Sequence, residues 1–244
     1  MDIVYNDIGR GYSNKRLADP RIAALIHEQM GGARRVLNIG AGTGSYEPRH
    51  LDLVALEPSI TMISQRPADA APAVLGRAET LPFSDGSFDL SMALLTLHHW
   101  SDWRQGLAEA ARVAGGSVLL FTWIGSGPRF WLTDYFPQIT ELDAPRFPDL
   151  DEYRAELGDL DVIAVPIPHD CSDGFLCAYW RRPEAYLDPA VRASISTFSD
   201  IDNQQAGLSA LRQDLASGTW LDKYGELLQA EAQDFGYCLI RTRA

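Results

Sequence analysis

Gly40, Gly42 and Gly44 stand at alternate positions directly after the apolar run Val36-Leu37-Asn38-Ile39. A glycine turn at the end of a buried strand lets the backbone approach a ligand with no Cβ in the way. In open α/β sheets, ligands sit beyond the carboxyl ends of the strands. Glu57 closes the next apolar run, 13 residues after Gly44. A carboxylate there has the acceptor capacity for both hydroxyls of a ribose. The glycine spacing is GxGxG, followed by Ser45 and Tyr46. A nicotinamide oxidoreductase would show GxGxxG and an acid about 20 residues on, so the spacing counts against that alternative. His98 and His99 follow a fourth apolar run, and imidazole titrates in the range a general base needs. His169, next to Asp170, is a further candidate base, although neighbours on a strand point to opposite faces.

These residues need elements to position them. Apolar Ile22, Leu25, Ile26 and Met30 recur at helical spacing and predict a helix over 20–30, opened by Pro20. Short apolar runs predict strands at 34–40, 51–58, 73–78, 88–96, 117–123, 160–168 and 236–242. Helices are predicted at 59–66, opened by Ser59, and at 102–113. Strands alternating with helices imply βαβ units and a parallel sheet. Two stretches break the alternation: an irregular, aromatic-rich one at 125–157 and a mostly helical one within 170–235. Both are read as insertions that cap the active edge of the sheet, in a single domain over 1–244.

The pieces Asn38-Ile39-Gly40-Ala41-Gly42-Thr43-Gly44, Glu57-Pro58-Ser59, 78–89 (AETLPFSDGSFD) and Leu97-His98-His99-Trp100 occur in this order. Together they resemble the class I S-adenosylmethionine-dependent methyltransferases, in the small-molecule branch similar to the ubiquinone and menaquinone C-methyltransferases. The resemblance covers roughly residues 34–123. It implies a Rossmann-like α/β fold with a seven-stranded, mostly parallel sheet, helices on both faces and an antiparallel last strand. It implies S-adenosylmethionine as cofactor and S-adenosylhomocysteine as product. By position, Asn38, Gly40, Ala41, Gly42 and Gly44 would cradle the methionine part and Glu57 the ribose. Pro58, Ser59, Ala78 and Glu79 would flank the adenine, and Leu94 would sit near the sulfonium. Tyr12 and Arg16, in the N-terminal arm, would meet the methionine carboxylate. Two positions depart from the family pattern: Asn38 stands where Asp is usual, and Arg77 where an acid often contacts the adenine.

Transfer from a sulfonium is an in-line displacement of an activated group, so alignment and desolvation supply much of the rate. A base is needed only for a weakly acidic acceptor. The acceptor is expected to be a small molecule, methylated on O, N or C, and held by some of the aromatic side chains in the runs 130–136 (FWLTDYF) and 171–183 (CSDGFLCAYWRRP); the alternative for Trp131, Phe136 and Trp180 is that they form the core of the insertions. Arg181 and Arg182 are candidate partners for an acidic acceptor. The rival from a different class is a cofactor-binding regulatory or scaffold protein without turnover.

Composition narrows the partners. In 244 residues, 33 acids face 21 Lys and Arg, a net charge of -12. This counts against nucleic acid and against anionic membrane surfaces as partners. Cys171, Cys177 and Cys238 make an odd set with no metal-ligand spacing, so neither a disulfide framework nor a metal site is expected. The first residues carry acids and no apolar run, and no stretch is long enough to span a bilayer. The expectation is a cytoplasmic monomer or homodimer.

Overall fold

The computed structural model describes residues 16–125 and 127–243. Its strands in chain order are β1 (Arg35–Ile39), β2 (Asp52–Glu57), β3 (Ala73–Leu75), β4 (Leu90–Leu94), β5 (Val118–Trp123), β6 (Leu160–Ala164), β7 (Ile167–Pro168), β8 (Ala232–Gln233) and β9 (Tyr237–Thr242). Seven of them form one sheet in the order β3-β2-β1-β4-β5-β9-β6. β1 to β5 pair in parallel, and β9 runs antiparallel between β5 and β6. The fold is the Rossmann-like class I arrangement the resemblance implies.

Alternate side chains of each strand enter opposite cores, as the pleat requires. Val36, Leu119 and Leu239 join a core with Ile22 and Ile26 of the helix Pro20–Gln29. Leu37, Leu120 and Ile240 join a second core with Leu107 and Val113 of the helix Trp103–Val113. Helices therefore cover both faces. Central strands buried on both sides explain why their sequences read as continuous apolar runs.

One predicted strand divides. The run 160–168 is β6 followed by β7, and β7 pairs with β8 in a separate two-stranded ribbon. Pro166 and Pro168 lack the N–H a ladder needs, so pairing with β9 stops after Ala164. Of the stretch 125–157, the helix Leu150–Leu157 packs on the sheet side. Its Tyr153 joins the second core, and Arg104 reaches across to Glu152 and Glu156.

The helix Pro20–Gln29 starts on a buried acid. Asp19 caps it by accepting from the Arg21 N–H, and also accepts from the Arg21 side chain and from the Ser172 N–H. It thus ties the helix to the chain after β7. Burial pushes the Asp19 carboxyl up, but these hydrogen bonds outweigh it and hold the group at about 2. Asp19→Ala is expected to lower the unfolding free energy by about 1 kcal/mol at pH 7. A carboxyl depressed by folding stabilises fully above its unfolded pKa, about 3.9, and loses this as pH falls towards 2. Urea unfolding at pH 7 and pH 3 should therefore show the two proteins converging in acid.

Candidate active site

The carboxyl ends of β1, β2 and β4 open into a cleft of about 600 Å³, within the range of small-molecule sites. Its floor is the glycine loop. Gly40 adopts φ 68°, and a Cβ there would lie 2.1 Å from the Thr96 Oγ1. The close approach that demands glycine is thus partly to this chain's own side chain.

Glu57, 4% exposed, lies at the end of β2. One carboxylate oxygen accepts from the Gly42 N–H at 2.8 Å and the other from the Ser59 N–H at 2.9 Å. Each oxygen keeps a further lone pair for a ligand hydroxyl. Burial pushes the Glu57 carboxyl up, against the pull of these N–H groups and of Arg66.

Behind the loop lies a buried polar network. The Asn38 side-chain NH2 donates to Glu47 at 3.0 Å, and Arg66 pairs with the other Glu47 oxygen at 2.6 Å. Arg66 also donates to the Gly42 carbonyl. This accounts for the amide at position 38: a carboxylate there would face Glu47 directly.

The structure brings Arg16, Asn38, Gly40, Ala41, Gly42, Glu57, Pro58, Ala78, Glu79, Leu94, His98 and His99 onto this one cleft. Gly44, Ser59 and His169 are corrected, since none of them lines it. Gly44 faces Glu47 and Arg66 and does not line the cleft. Ser59 is fully buried; its hydroxyl caps the helix Ile60–Ser64 and its N–H orients Glu57. Glu79 lines the cleft, but one carboxylate oxygen is committed to Ser101. The Arg16 guanidinium is held by buried Asp173, which also accepts from the Tyr46 hydroxyl. His169 lines neither cavity, because the break after β6 carries it onto the β7–β8 ribbon, between Asp170 and Glu231. It does meet Asp170, which lies in the turn beyond the strand. Tyr12 lies outside the described residues.

His98 and His99 keep a surface on the cleft but sit deep within the protein envelope. Desolvation, helped by Arg146 and Arg16, pulls His99 down to about 4 and His98 well below its usual range. Both are neutral at pH 7 and are weak proton acceptors. His98 stacks on Phe147 at 4.8 Å.

A second cavity, about 290 Å³, adjoins the cleft. The two share Arg16, Leu95, His98 and Ser196. Leu95 holds φ 52°, rare for a side-chain-bearing residue and typical of constrained functional positions. Its N–H bonds to the Phe121 carbonyl at 2.8 Å. Trp123, Phe130, Phe147 and Phe175 give the chamber its aromatic walls.

Residues 37–121 match the family model described as a methyltransferase domain. A solved structure from Anabaena variabilis, a candidate methyltransferase from an antibiotic biosynthesis pathway, is 36% identical. It covers 95% of this chain and 100% of its own, with a TM-score of 0.87. The chain belongs to the class I S-adenosylmethionine-dependent methyltransferases. The methyltransferase YcgJ of Bacillus subtilis, described as uncharacterized, is 30% identical over 137 residues, 52% of this chain and 47% of that protein. The demethylmenaquinone methyltransferase of Renibacterium salmoninarum is 35% identical over 95 residues, 36% of this chain and 40% of that protein. The chain thus spans about half or less of the curated relatives it matches.

The cofactor of this methyltransferase family is S-adenosylmethionine, and the cleft fits it. A buried acid with spare acceptor capacity faces a glycine loop, and Leu97, Trp100 and Trp103 provide apolar surface. Several residues of the two cavities were not foreseen. Tyr46, Arg146, Ser196 and Asp200 line the cleft, and Asp143 lines the chamber. Tyr46 carried a local signal, adjoining the glycine run. The others come from distant segments with no motif.

Asn38→Asp is expected to set two buried carboxylates about 3 Å apart. We expect a loss of about 1–3 kcal/mol at pH 7.5. The loss should shrink by pH 5, as one carboxyl of the pair takes a proton. Urea unfolding at the two pH values measures it.

Proposed function

We propose that this chain is a single methyltransferase unit that transfers a methyl group from S-adenosylmethionine to an O, N or C atom of a small molecule held in the aromatic chamber. The observation that carries this reading is the junction of the two cavities at Arg16, Leu95, His98 and Ser196. The bound cofactor supplies an activated methyl group and leaves as S-adenosylhomocysteine.

The chain's own residues align and desolvate. Gly40, Ala41 and Gly42 present backbone to the methionine portion, and Asn38, through Glu47 and Arg66, keeps that loop in shape. Glu57 accepts the ribose hydroxyls. Pro58, Ala78 and Glu79 enclose the adenine, and Leu94 and Leu95 stand where the reacting groups meet. His98 packs neutral at the junction, with His99 beside it in the cleft, and the pair excludes water. The acidic net charge supports small molecules over nucleic acid or anionic membranes as partners. Among the described residues, no helix is long and apolar enough to cross a membrane. We place the protein in the cytoplasm as a monomer or homodimer, which light scattering after size exclusion would resolve.

Calorimetry with S-adenosylmethionine, S-adenosylhomocysteine and NAD tests the cofactor reading. Both S-adenosyl ligands should bind and NAD should not. Glu57→Ala should weaken them by about tenfold to a hundredfold, the scale of a lost charge-assisted hydrogen bond. The ionised carboxylate is the stronger acceptor for the ribose hydroxyls, and burial raises the pKa of this group. Affinity should therefore fall on acidification at pH values above the ordinary glutamate range, about 4.3. Release of S-adenosylhomocysteine with an acceptor pool reports turnover. Binding without any release across broad pools would favour the regulatory alternative.

A further inference from the structure

Asp143 is the charge in the acceptor chamber that the reading above leaves without a role. It ends the short helix Gln138–Asp143 and is 6% exposed. Its hydrogen-bond partner is the Thr197 hydroxyl, 3.1 Å from one oxygen and 3.4 Å from the other. The other charged side chains of the chamber wall are arginines engaged elsewhere. Arg16 is held by Asp173 and Arg129 by Asp134. Arg146, nearby, pairs with Asp200 at 2.8 Å. A buried carboxylate held by one hydroxyl is costly unless a cation meets it. The helix dipole also disfavours an anion at a C-terminal end. Around it stand Trp123, Phe130, Phe147 and Phe175, whose ring faces attract cations.

We propose that the acceptor is an aromatic or otherwise apolar molecule carrying an amine, bound in its ammonium form with that nitrogen on Asp143 and the body against the aromatic walls; the ammonium has no lone pair, so it anchors the molecule and the methyl group goes to another atom, presented at the junction of the two cavities. This rests on the chamber being the acceptor site. An acidic acceptor, such as a carboxylate or phenolate, would be repelled by Asp143. A neutral one would leave the charge unmatched.

Burial pushes the Asp143 carboxyl up to about 6, with Arg146 opposing and Asp200 adding to the rise. The groups facing it from neighbouring elements are Thr197, Arg146, Asp200, Cys177 and Tyr237. Asp134, on the adjacent turn, is tied to Arg129 and Tyr224. The Cys177 thiol and Tyr237 phenol are pushed far up by burial, and both cleft histidines are held down, so none of these changes charge between pH 5 and 7.5.

The test uses 2-phenylethylamine and its neutral isostere 2-phenylethanol, with binding read by calorimetry and by the emission of Trp123 at the chamber wall. At pH 7.5 the amine should bind at least tenfold tighter than the alcohol. Asp143→Asn should abolish that preference, with S-adenosylhomocysteine binding reporting that the variant is folded. In the unmutated protein the preference should fall about tenfold from pH 7.5 to 5, because Asp143 takes a proton while the amine keeps its charge. Equal binding of amine and alcohol, a preference that survives in Asp143→Asn, or one that ignores pH would overturn the proposal. Failure of S-adenosylhomocysteine to bind the unmutated protein would instead sink the methyltransferase reading, while the amine arms still decide the role of Asp143.

Discussion

A single carboxylate, Glu57, joins three elements that would otherwise drift apart. It ends β2, accepts from the glycine loop after β1 through Gly42, and accepts from Ser59 at the start of the next helix. A buried anion with backbone donors on both oxygens is costly to leave unmet. The loop therefore has one low-energy shape. Asn38, Glu47 and Arg66 hold the same loop from behind, with Arg66 on the Gly42 carbonyl. The cleft is preorganised by charges whose partners are mostly backbone groups.

A second polar network closes the site from the far side. Asp173, fully buried, takes Arg16 from the N-terminal arm and the Tyr46 hydroxyl from the glycine loop. It thereby locks the 170–235 stretch to the cofactor end of the sheet. Behind it the stretch is held by aromatic packing: Trp131 meets Tyr186 and Trp220, and donates its indole N–H to the Trp180 carbonyl. Trp131, Phe136 and Trp180 are core, while Phe175 of the same clusters reaches the chamber. Arg181 and Arg182 bond to backbone carbonyls and line neither cavity. Cys171 and Cys177 are buried, and burial pushes both thiols up.

The electrostatics of the two cavities differ in a way that matters for chemistry. His98 at the junction and His99 beside it in the cleft are kept neutral by desolvation and by nearby arginines. A base of such low pKa gains little by taking a proton near neutrality. The chamber instead concentrates its unmatched charge on Asp143, a carboxylate in an aromatic enclosure. Alignment at the junction and charge selection in the chamber are thus assigned to different residues on different segments.

The strands, the glycine loop, Glu57 and the helix starts at Pro20 and Ser59 were legible in the sequence, whereas the caps Asp19 and Asp102 were not read from it. The legible features depend on local pattern: period, apolar runs, turn residues and capping side chains. The antiparallel last strand and the cofactor followed from motifs in register. The sequence also suggested one strand over 160–168, but pairing partners decide where a ladder ends, and β8 lies more than 60 residues away. It placed His169 at the site for the same reason, since an apolar run does not say which sheet it joins. Only the tertiary structure decided why position 38 is an amide, because Glu47 and Arg66 meet there. Only it set Asp143 against Thr197, and Arg16 against Asp173. A single charged residue looks the same in sequence whether solvated or buried. Its role is set by the desolvation and the partners that distant segments impose on it.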